Sequence, residues 1–559
     1  MKKWQKIVKW TFWGVFLTWN AVLLFIILGK KDQPKTAAPK EDQQSLVACK
    51  NSVESAKMAD FTKPNKEITT LETAQSKYEF SEAKLQKVVL KNYKADQKTD
   101  EKLTILGQNS GLHESISDSS KTEQNGEFLQ IQWSGNTQTP DENTKWAKQT
   151  TNSKTTFFWT NSEKITFIQT WEIDQNYGVK IDLTILNRSG RTINVTPTME
   201  MRKNEFEKHQ SFIFSGISIY SDKKLHNLAP ESSNNRQLST QNDSWAAFNE
   251  KYWLIACTKP EFATVSYEKN NNLKSGSNVI LYKSNEISIN NGDQKNTKFN
   301  LYIGPKEVKN LRQFSQNYQI PNIENAIDYG WLFFLTKPVN YILNLLIDKV
   351  ASIALALIIL TVLLKLLTWH LTSKSHITMN KINQLTPAIN ELKHRLKDNP
   401  QLMNQEIFAL YKKNHVNPLS GCLPSILQML LLFPLYKVLS FSIDMRFASF
   451  PGWISDLSSC DPTSWINLFG LLPFSAPDFL HIGAWPVLMG ISMIFQQKLT
   501  TSTAAQTPDQ KFMLYGMPIF FTWMMANLAT GVVVYWTLTN VLTIAQIAWI
   551  TRSERKQKV

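Results

Sequence analysis

The sequence lacks the usual carriers of covalent chemistry. Its 559 residues hold no G-x-x-x-x-G-K-[ST] phosphate loop, no nucleophile elbow and no Cys/His cluster at metal-ligand spacing. Nucleotide-driven work, a bound metal and a cofactor are therefore not expected, and the chain does not read as an enzyme. Cysteine is scarce: Cys49, Cys257, Cys422 and Cys460 are too scattered to form a disulfide framework. Cys49 closes "LVAC", which mimics a lipoprotein box, but a long polar stretch separates it from the nearest apolar run. Cys422 reads as a small packing residue at the mouth of a span. Also missing is an A-x-A cleavage pattern after the first apolar run, Trp10 to Leu28, which follows Lys2, Lys3, Lys6 and Lys9. That run exceeds the roughly 7–15 residues of a signal-peptide core. It reads as an uncleaved anchor, residues 1–31, that starts in the cytoplasm.

Long apolar runs are absent from a wide middle section, so the mean hydropathy of −0.26 averages two unlike halves. Residues 32–66, with Pro, Lys, Gln and Ala and little periodicity, suit a flexible linker. Residues 67–320 alternate apolar and polar side chains. "KTTFFWTNSEKITFIQTWEI" and "NYGVKIDLTILNRSGRTINVTPTMEM" read as strands joined by tight turns, with Asn187-Arg188-Ser189-Gly190 as one turn. Many short strands with one apolar face predict an all-β sandwich.

What is present from Trp331 onward is apolar. Residues 321–350 include "YGWLFFLTKPVNYILNLLIDKV", an aromatic, amphipathic stretch suited to lying along a membrane surface. Five spans follow at about Ala351–Thr372, Leu423–Phe441, Gly483–Gln497, Leu514–Leu528 and Val532–Ile550, each near the length that crosses about 30 Å of hydrocarbon. The formal charge of +15 lies largely beside these runs. The segment from Ser373 to Pro418 carries Lys374, Lys381, Lys393, Arg395, Lys397, Lys412 and Lys413, and the tail 551–559 carries Arg552, Arg555, Lys556 and Lys558. The opposite loop, Ser442 to Ile482, has Arg446 against Asp444, Asp456, Asp461 and Asp478. The positive-inside rule then puts both termini in the cytoplasm and the β-domain outside. The expected fold is a membrane bundle of six transmembrane helices with an all-β periplasmic sandwich.

Residues 351–550 form the helical core, and residues 373–418 within it carry a second pattern. Ile382, Leu385, Ile389, Leu392 and Leu396 recur at steps of three and four, a heptad seam. Asp398-Asn399-Pro400 interrupts it, and Met403, Ile407 and Leu410 resume it. An antiparallel helical hairpin projecting into the cytoplasm is expected, its first helix kinked at Pro387.

"LALIILTVLLKLLTWHL", Leu355 to Leu371, places Lys365 inside a span, where an ammonium costs roughly 2.5–3.5 kcal/mol on insertion scales. Two readings stand: a functional charge, or a side chain that snorkels to the interface. Lys437, near the outer end of the third span, is read as snorkelling.

Several blocks together resemble the YidC family of membrane protein insertases in its Gram-negative form. These are "KKNHVNPLSGCLPSILQM" (412–429), "LYIGPKEV" followed by "AIDYGWLFFLTKPVNYILNLL", "IFQQKLTT" and "TGVVVYWTLTNVLTIAQ". The resemblance implies a protein of the bacterial inner membrane that inserts and chaperones new membrane proteins, alone or beside the Sec translocon. It implies a hydrophilic groove open to cytoplasm and lipid, with Lys365 where the family usually has arginine. Lysine keeps the charge but loses the planar five-donor fork. The expected groove residues are Lys365, Thr361 one turn before it, Gln428, Gln497, Tyr535, Trp536 and Asn540. For Gln428 and Asn540 a bond to a neighbouring helix is the alternative; for Tyr535 and Trp536, an interfacial anchor. Expected partners are nascent membrane proteins, Sec components, the lipid bilayer, and a ribosome or targeting receptor at the basic cytoplasmic loops. A transporter or channel using Lys365 as counter-ion is the competing class; internal repeats, its common mark, are not seen. A structural envelope protein is the third.

Overall fold

Alternating side chains from Ile68 onward fold into nineteen strands among the described residues, arranged as two antiparallel sheets. The structure is a computed structural model that describes residues 68–558 except 98, 108–126, 205, 207–212, 230–235, 241–243, 259–262, 271–276, 351, 418–422, 467, 469–471, 473–480 and 501–511. The expected anchor 1–31, the linker 32–66, Cys49, Pro418 and Cys422 lie outside the described residues.

One sheet runs, neighbour to neighbour, Ile68–Glu72, Ser76–Ser81, Lys84–Lys94, Phe128–Gly135, Ile193–Lys203, Ser277–Ser284, Ala263–Asn270 and Arg236–Thr240. Lys102–Leu106 adds to Lys84–Lys94, and Ile287–Ile289 to Ile193–Lys203. The other runs Lys224–Leu228, Gly216–Ser221, Trp245–Asn249, Trp253–Thr258, Gln294–Pro305, Gly178–Asn187, Ile165–Ile173, Lys154–Thr160 and Ala147–Thr150.

Period-2 patterning decides which side chains enter the core. In Gly178–Asn187 the residues Val179, Ile181, Leu183 and Ile185 are buried, while Lys180, Asp182 and Thr184 between them are half-buried. Aromatic pairs join the two sheets edge to face: Phe80 with Trp171 at 5.3 Å, Trp133 with Phe167 at 5.1 Å, and Tyr282 with Phe299 at 6.3 Å. Asn187–Gly190 is a turn, as expected, and the structure adds that the strands it joins do not pair, because they belong to different sheets. The buried Asn187 carboxamide holds this corner, donating to Arg191 O (2.7 Å) and Ile289 O (2.9 Å) and accepting from Ser189 N (3.0 Å). Local turn chemistry is the same for both outcomes; the partner at Ile289 decides between them.

Eight α-helices follow among the described residues: α1 (Val308–Tyr318), α2 (Phe333–Val350), α3 (Ile353–Arg395), α4 (Pro400–Lys413), α5 (Leu423–Phe441), α6 (Ala484–Thr500), α7 (Met517–Met525) and α8 (Thr530–Lys558). Two, Ile353–Arg395 and Thr530–Ser553, are long and apolar enough to cross a membrane; Ile426–Phe441 and Leu514–Met525 are shorter apolar helices. Helix α2 buries Thr336, Val339, Asn340 and Leu343 on one face, while Phe333, Phe334 and Tyr341 are exposed, as is Trp331 just before it.

Helix α3 does not stop at the expected end of its span. It runs 43 residues, about 65 Å at 1.5 Å per residue, through the exposed Pro387 to Arg395. The Ser352 hydroxyl caps its start, and Lys393, His394 and Arg395 favour its C-terminal dipole. Asn399 then caps α4, with Pro400 at its first turn. The seam Ile382, Leu385, Ile389, Leu392 and Leu396 is half-buried or buried, as are Met403, Ile407 and Leu410 on α4.

Two basic side chains, one on α5 and one just after it, reach back to earlier parts of the chain. Lys437 on α5 is 4% exposed, and its Nζ lies 2.6 Å from Asp328 Oδ2. It therefore does not snorkel: a counter-ion 109 residues earlier in the chain offsets the cost of its burial. Gly330, at φ +70°, lets the chain pass close by; a Cβ there would lie 3.2 Å from Lys437 Cε. Arg446 donates from Nη1 to Lys94 O (3.0 Å) and from Nη2 to Ala95 O (2.9 Å), with its guanidinium 5.6 Å from the Trp253 ring.

Candidate functional site

The polar positions of the apolar helices fall on a common face. On α3, Thr361, Lys365, Thr368, Thr372 and His376 recur at steps of three and four, so they stack along one stripe. On α8, Tyr535, Thr539 and Thr543 recur at steps of four. These stripes, with Pro424, Leu427, Gln428 and Leu431 of α5 and Gln496 of α6, line a cavity of about 440 Å³, its open mouth included. Ten of the fourteen lining residues carry a hydroxyl, amide, imidazole or ammonium group. Polar side chains at this density inside apolar helices give water or the polar part of another chain groups to bond, beside the apolar Leu364, Leu427 and Leu431.

Lys365 is 8% exposed and donates from Nζ to Thr543 Oγ1 at 2.7 Å. Its ammonium is thus directed at α8 and does not reach outward as a snorkelling side chain would. The threonines bond their own helices: Thr361 to Leu357 O (2.7 Å), Thr368 to Leu364 O (3.1 Å), Thr372 to Thr368 O (3.0 Å), Thr539 to Tyr535 O (2.9 Å) and Thr543 to Thr539 O (2.7 Å). Back-bonding satisfies each hydroxyl hydrogen and leaves an oxygen lone pair to accept from another group. Thr543 uses its lone pair for Lys365.

Two amides lock the walls. Gln546 Nε2 bonds Thr372 Oγ1 (3.0 Å), Ser373 Oγ (2.7 Å) and Trp369 O (3.1 Å), fixing α8 to α3. Asn540 Nδ2 donates to Ser492 Oγ (2.9 Å), while its Oδ1 accepts from Gln428 Nε2 (3.2 Å), joining α6, α8 and α5. Beside this contact Gly490 of α6 faces Thr522 so closely that any Cβ would collide with the hydroxyl.

Of the residues expected from the sequence, Lys365, Thr361, Gln428 and Tyr535 line the cavity. Asn540 stands one bond behind it, in the helix-tying role given as its alternative. Trp536 is buried against Phe521, with ring centroids 5.3 Å apart, so it neither lines the cavity nor reaches an interface. Gln497 is not on the wall; its neighbour Gln496 is. One residue turns a helix by about 100°, enough to exchange wall for flank. The hairpin seam lies further along α3 and does not contribute. Thr368, Thr372, His376, Thr539, Thr543 and Gln546 went unnamed in the sequence reading, although a polar repeat of three and four marks them.

At one end, described residues of the segment between α5 and α6 cap two helices. Asp461 Oδ2 accepts from Trp485 N (2.8 Å) and Thr463 Oγ1 from Ala484 N (2.9 Å), capping α6. Ser459 O accepts from Thr530 N (2.7 Å) and Leu457 O from Gly531 N (2.9 Å), capping α8. Helix N-termini leave unsatisfied N–H groups, and here one loop takes up those of two helices.

Apolar helices with a buried ammonium on a cavity wall, joined to a large antiparallel β-sandwich, are the build of a helical membrane protein with an extramembrane domain. Two family profiles match: "YidC periplasmic domain" over residues 69–342 and "60Kd inner membrane protein" over residues 345–558. The membrane protein insertase YidC of Rickettsia akari is 36% identical over 404 residues, covering 71% of each chain. That of Granulibacter bethesdensis is 35% identical over 438 residues, covering 75% of each. A crystal structure of an active YidC insertase with its first transmembrane domain resolved is 13% identical, with a TM-score of 0.36, over 90% of this chain and 99% of its own. The chain belongs to the YidC family of membrane protein insertases.

Proposed function

We propose that this chain inserts newly made proteins into the bacterial inner membrane, with the cavity around Lys365 as the polar station for their hydrophilic segments. The buried Lys365–Thr543 contact in a wall of hydroxyls and amides carries this reading. A segment entering hydrocarbon must bring polar groups with it, and each unpaired one costs several kcal/mol. A cavity of fixed polar partners lowers that barrier without fuel. The apolar part of the client then leaves sideways into lipid. Lys365 attracts acidic and polar client groups, Thr361, Gln428 and Tyr535 offer hydrogen bonds, and Asn540 holds Gln428 in place.

In this reading the chain crosses the membrane six times, with both termini in the cytoplasm and the sandwich in the periplasm. The basic α3–α4 segment and the acidic α5–α6 loop support that orientation. The capping of α6 and α8 by the α5–α6 loop supports closure on the periplasmic side. The α3–α4 hairpin, with its half-buried seam, stands in the cytoplasm, where its lysines and arginine suit a ribosome or targeting receptor. Sec components are proposed partners on the family's pattern.

The test is reconstitution of the full chain in liposomes with a small single-span or two-span client. Protease protection of the client's far tail should exceed that in empty liposomes; equal protection refutes the proposal. Replacing Lys365 with Arg should preserve insertion and Gln should weaken it. Full activity in Lys365→Glu would remove positive charge from the mechanism.

A further inference from the structure

Two buried side-chain atoms on the cavity wall have no hydrogen-bond partner among the described residues: His376 Nε2 on α3 and Gln496 Oε1 on α6. The groups around them are paired, since the threonines bond their own helices, Lys365 bonds Thr543 and Gln428 bonds Asn540. A buried polar atom left unpaired costs about 1–3 kcal/mol. Of the seventeen such atoms among the described residues, these two are the ones on the cavity wall, where a partner can arrive from elsewhere.

Their position indicates which partner. His376 lies eleven residues beyond Lys365 on the same face of α3, about 16 Å further along the helix. Beyond it, Asn383 Nδ2 donates to Thr500 O at 2.6 Å and holds α3 against α6. His376 and Gln496 thus belong to two helices pinned together at the hairpin end of the cavity, where a client would enter in the proposed orientation. Neither side chain bears the fixed charge that Lys365 does. An amide oxygen accepts, and an imidazole offers one donor and one acceptor. These are the complements of a peptide group, which carries one N–H and one C=O.

We propose that His376 and Gln496 form a second client-binding station. It receives uncharged polar groups, peptide amides and carboxamide or hydroxyl side chains, before they reach Lys365. The proposal rests on the reading of the cavity as the client's path, and it adds a division of labour. Lys365 handles acidic groups, and the His376–Gln496 pair handles neutral ones.

The experiment uses the full chain in liposomes with two matched single-span clients, one whose translocated tail is rich in Asn and Ser and one whose tail is apolar. His376→Ala and Gln496→Leu should lower insertion of the polar-tailed client about fivefold to tenfold, the equivalent of one hydrogen bond, and that of the apolar-tailed client less than twofold. His376→Gln, which keeps a donor and an acceptor, should restore most of the loss. A photo-crosslinking residue at position 376 should capture the polar tail of a stalled short client in preference to the apolar one. Equal losses with both clients, no rescue by glutamine, or indifferent cross-linking would overturn the proposal. Lys365→Gln separates the two levels. If it impairs insertion while His376→Ala discriminates nothing, only the second station fails. If it affects no client, the client path itself fails.

Discussion

Lys365 Nζ donates to Thr543 Oγ1 at 2.7 Å, joining two helices across 178 residues of sequence. The bond gives the buried ammonium a partner that is itself anchored, because Thr543 donates its own hydrogen to Thr539 O. The pair is therefore both a structural link between α3 and α8 and the charged centre of the cavity. Substitution can separate the two roles.

Thr543→Val keeps the shape and removes the acceptor, leaving a buried charge short of a hydrogen bond. Loss of about 1.5–3 kcal/mol is expected, the range for bonds to charged groups. Combining it with Lys365→Met should recover most of that stability, since no charge is left unpaired, yet insertion should stay low. Thermal midpoints in detergent for the two single variants and the double variant form the cycle. Strictly additive losses would mean that the two residues do not interact.

Asp328 and Lys437 form an unequal pair, because the lysine side chain is 6% exposed and the aspartate 28%. Removing the carboxylate strands a buried ammonium, whereas removing the ammonium leaves a carboxylate within reach of water. Asp328→Asn should therefore destabilise by roughly 3 kcal/mol and Lys437→Met by less than half as much. Denaturation of the two variants side by side reads the ratio, and equal losses would contradict the asymmetry.

Arg446 holds the Lys84–Lys94 strand and Ala95 through two carbonyls, using both arms of its guanidinium. Lysine has the charge but not the planar fork. Arg446→Lys should loosen this contact almost as much as Arg446→Ala. Faster hydrogen exchange at residues 94–97 would report it. Full protection in the lysine variant would show that charge alone suffices.

Lys306 directly follows the last strand of the sandwich, is buried, and donates to Asn249 Oδ1 at 2.9 Å. Burial pushes its ammonium down to about 7, against the pull of Asp328 and Glu250. In the unfolded chain a lysine titrates near 10.4. Between these values the unfolded state binds more protons, so this group's contribution to stability rises with pH. Below about 7 the lysine is charged in both states, and the burial cost is fully present. Between pH 7 and 9 the wild type should gain on Lys306→Met by up to roughly 1.4 kcal/mol per pH unit. Thermal midpoints of both proteins at each pH measure that gap; a constant gap would show that Lys306 keeps its proton.

Much of the fold was legible because it rests on local pattern. Alternation located strands such as Lys154–Thr160 and Ile165–Ile173, and an apolar run located Leu423–Phe441. In the site, Thr361 and Lys365 were legible through helical spacing, which needs only one helix. Gln497 was named and its neighbour Gln496, which lines the cavity, was not, because a helix face is set by what packs on it, and α6 is held by Asn540 and by Thr522 of α7.

Sequence alone thus determined the two-part architecture, the apolar helices and the presence of a costly lysine, all properties of contiguous segments. Tertiary structure decided the rest. It chose Thr543 for Lys365 and Asp328 for Lys437, sent the chain from one sheet to the other at Asn187, and left His376 Nε2 and Gln496 Oε1 unpaired among the described residues. The physical reason is common to all four. A buried polar group is satisfied or left wanting by its neighbours in space, and for Lys365 that neighbour lies 178 residues away in the chain.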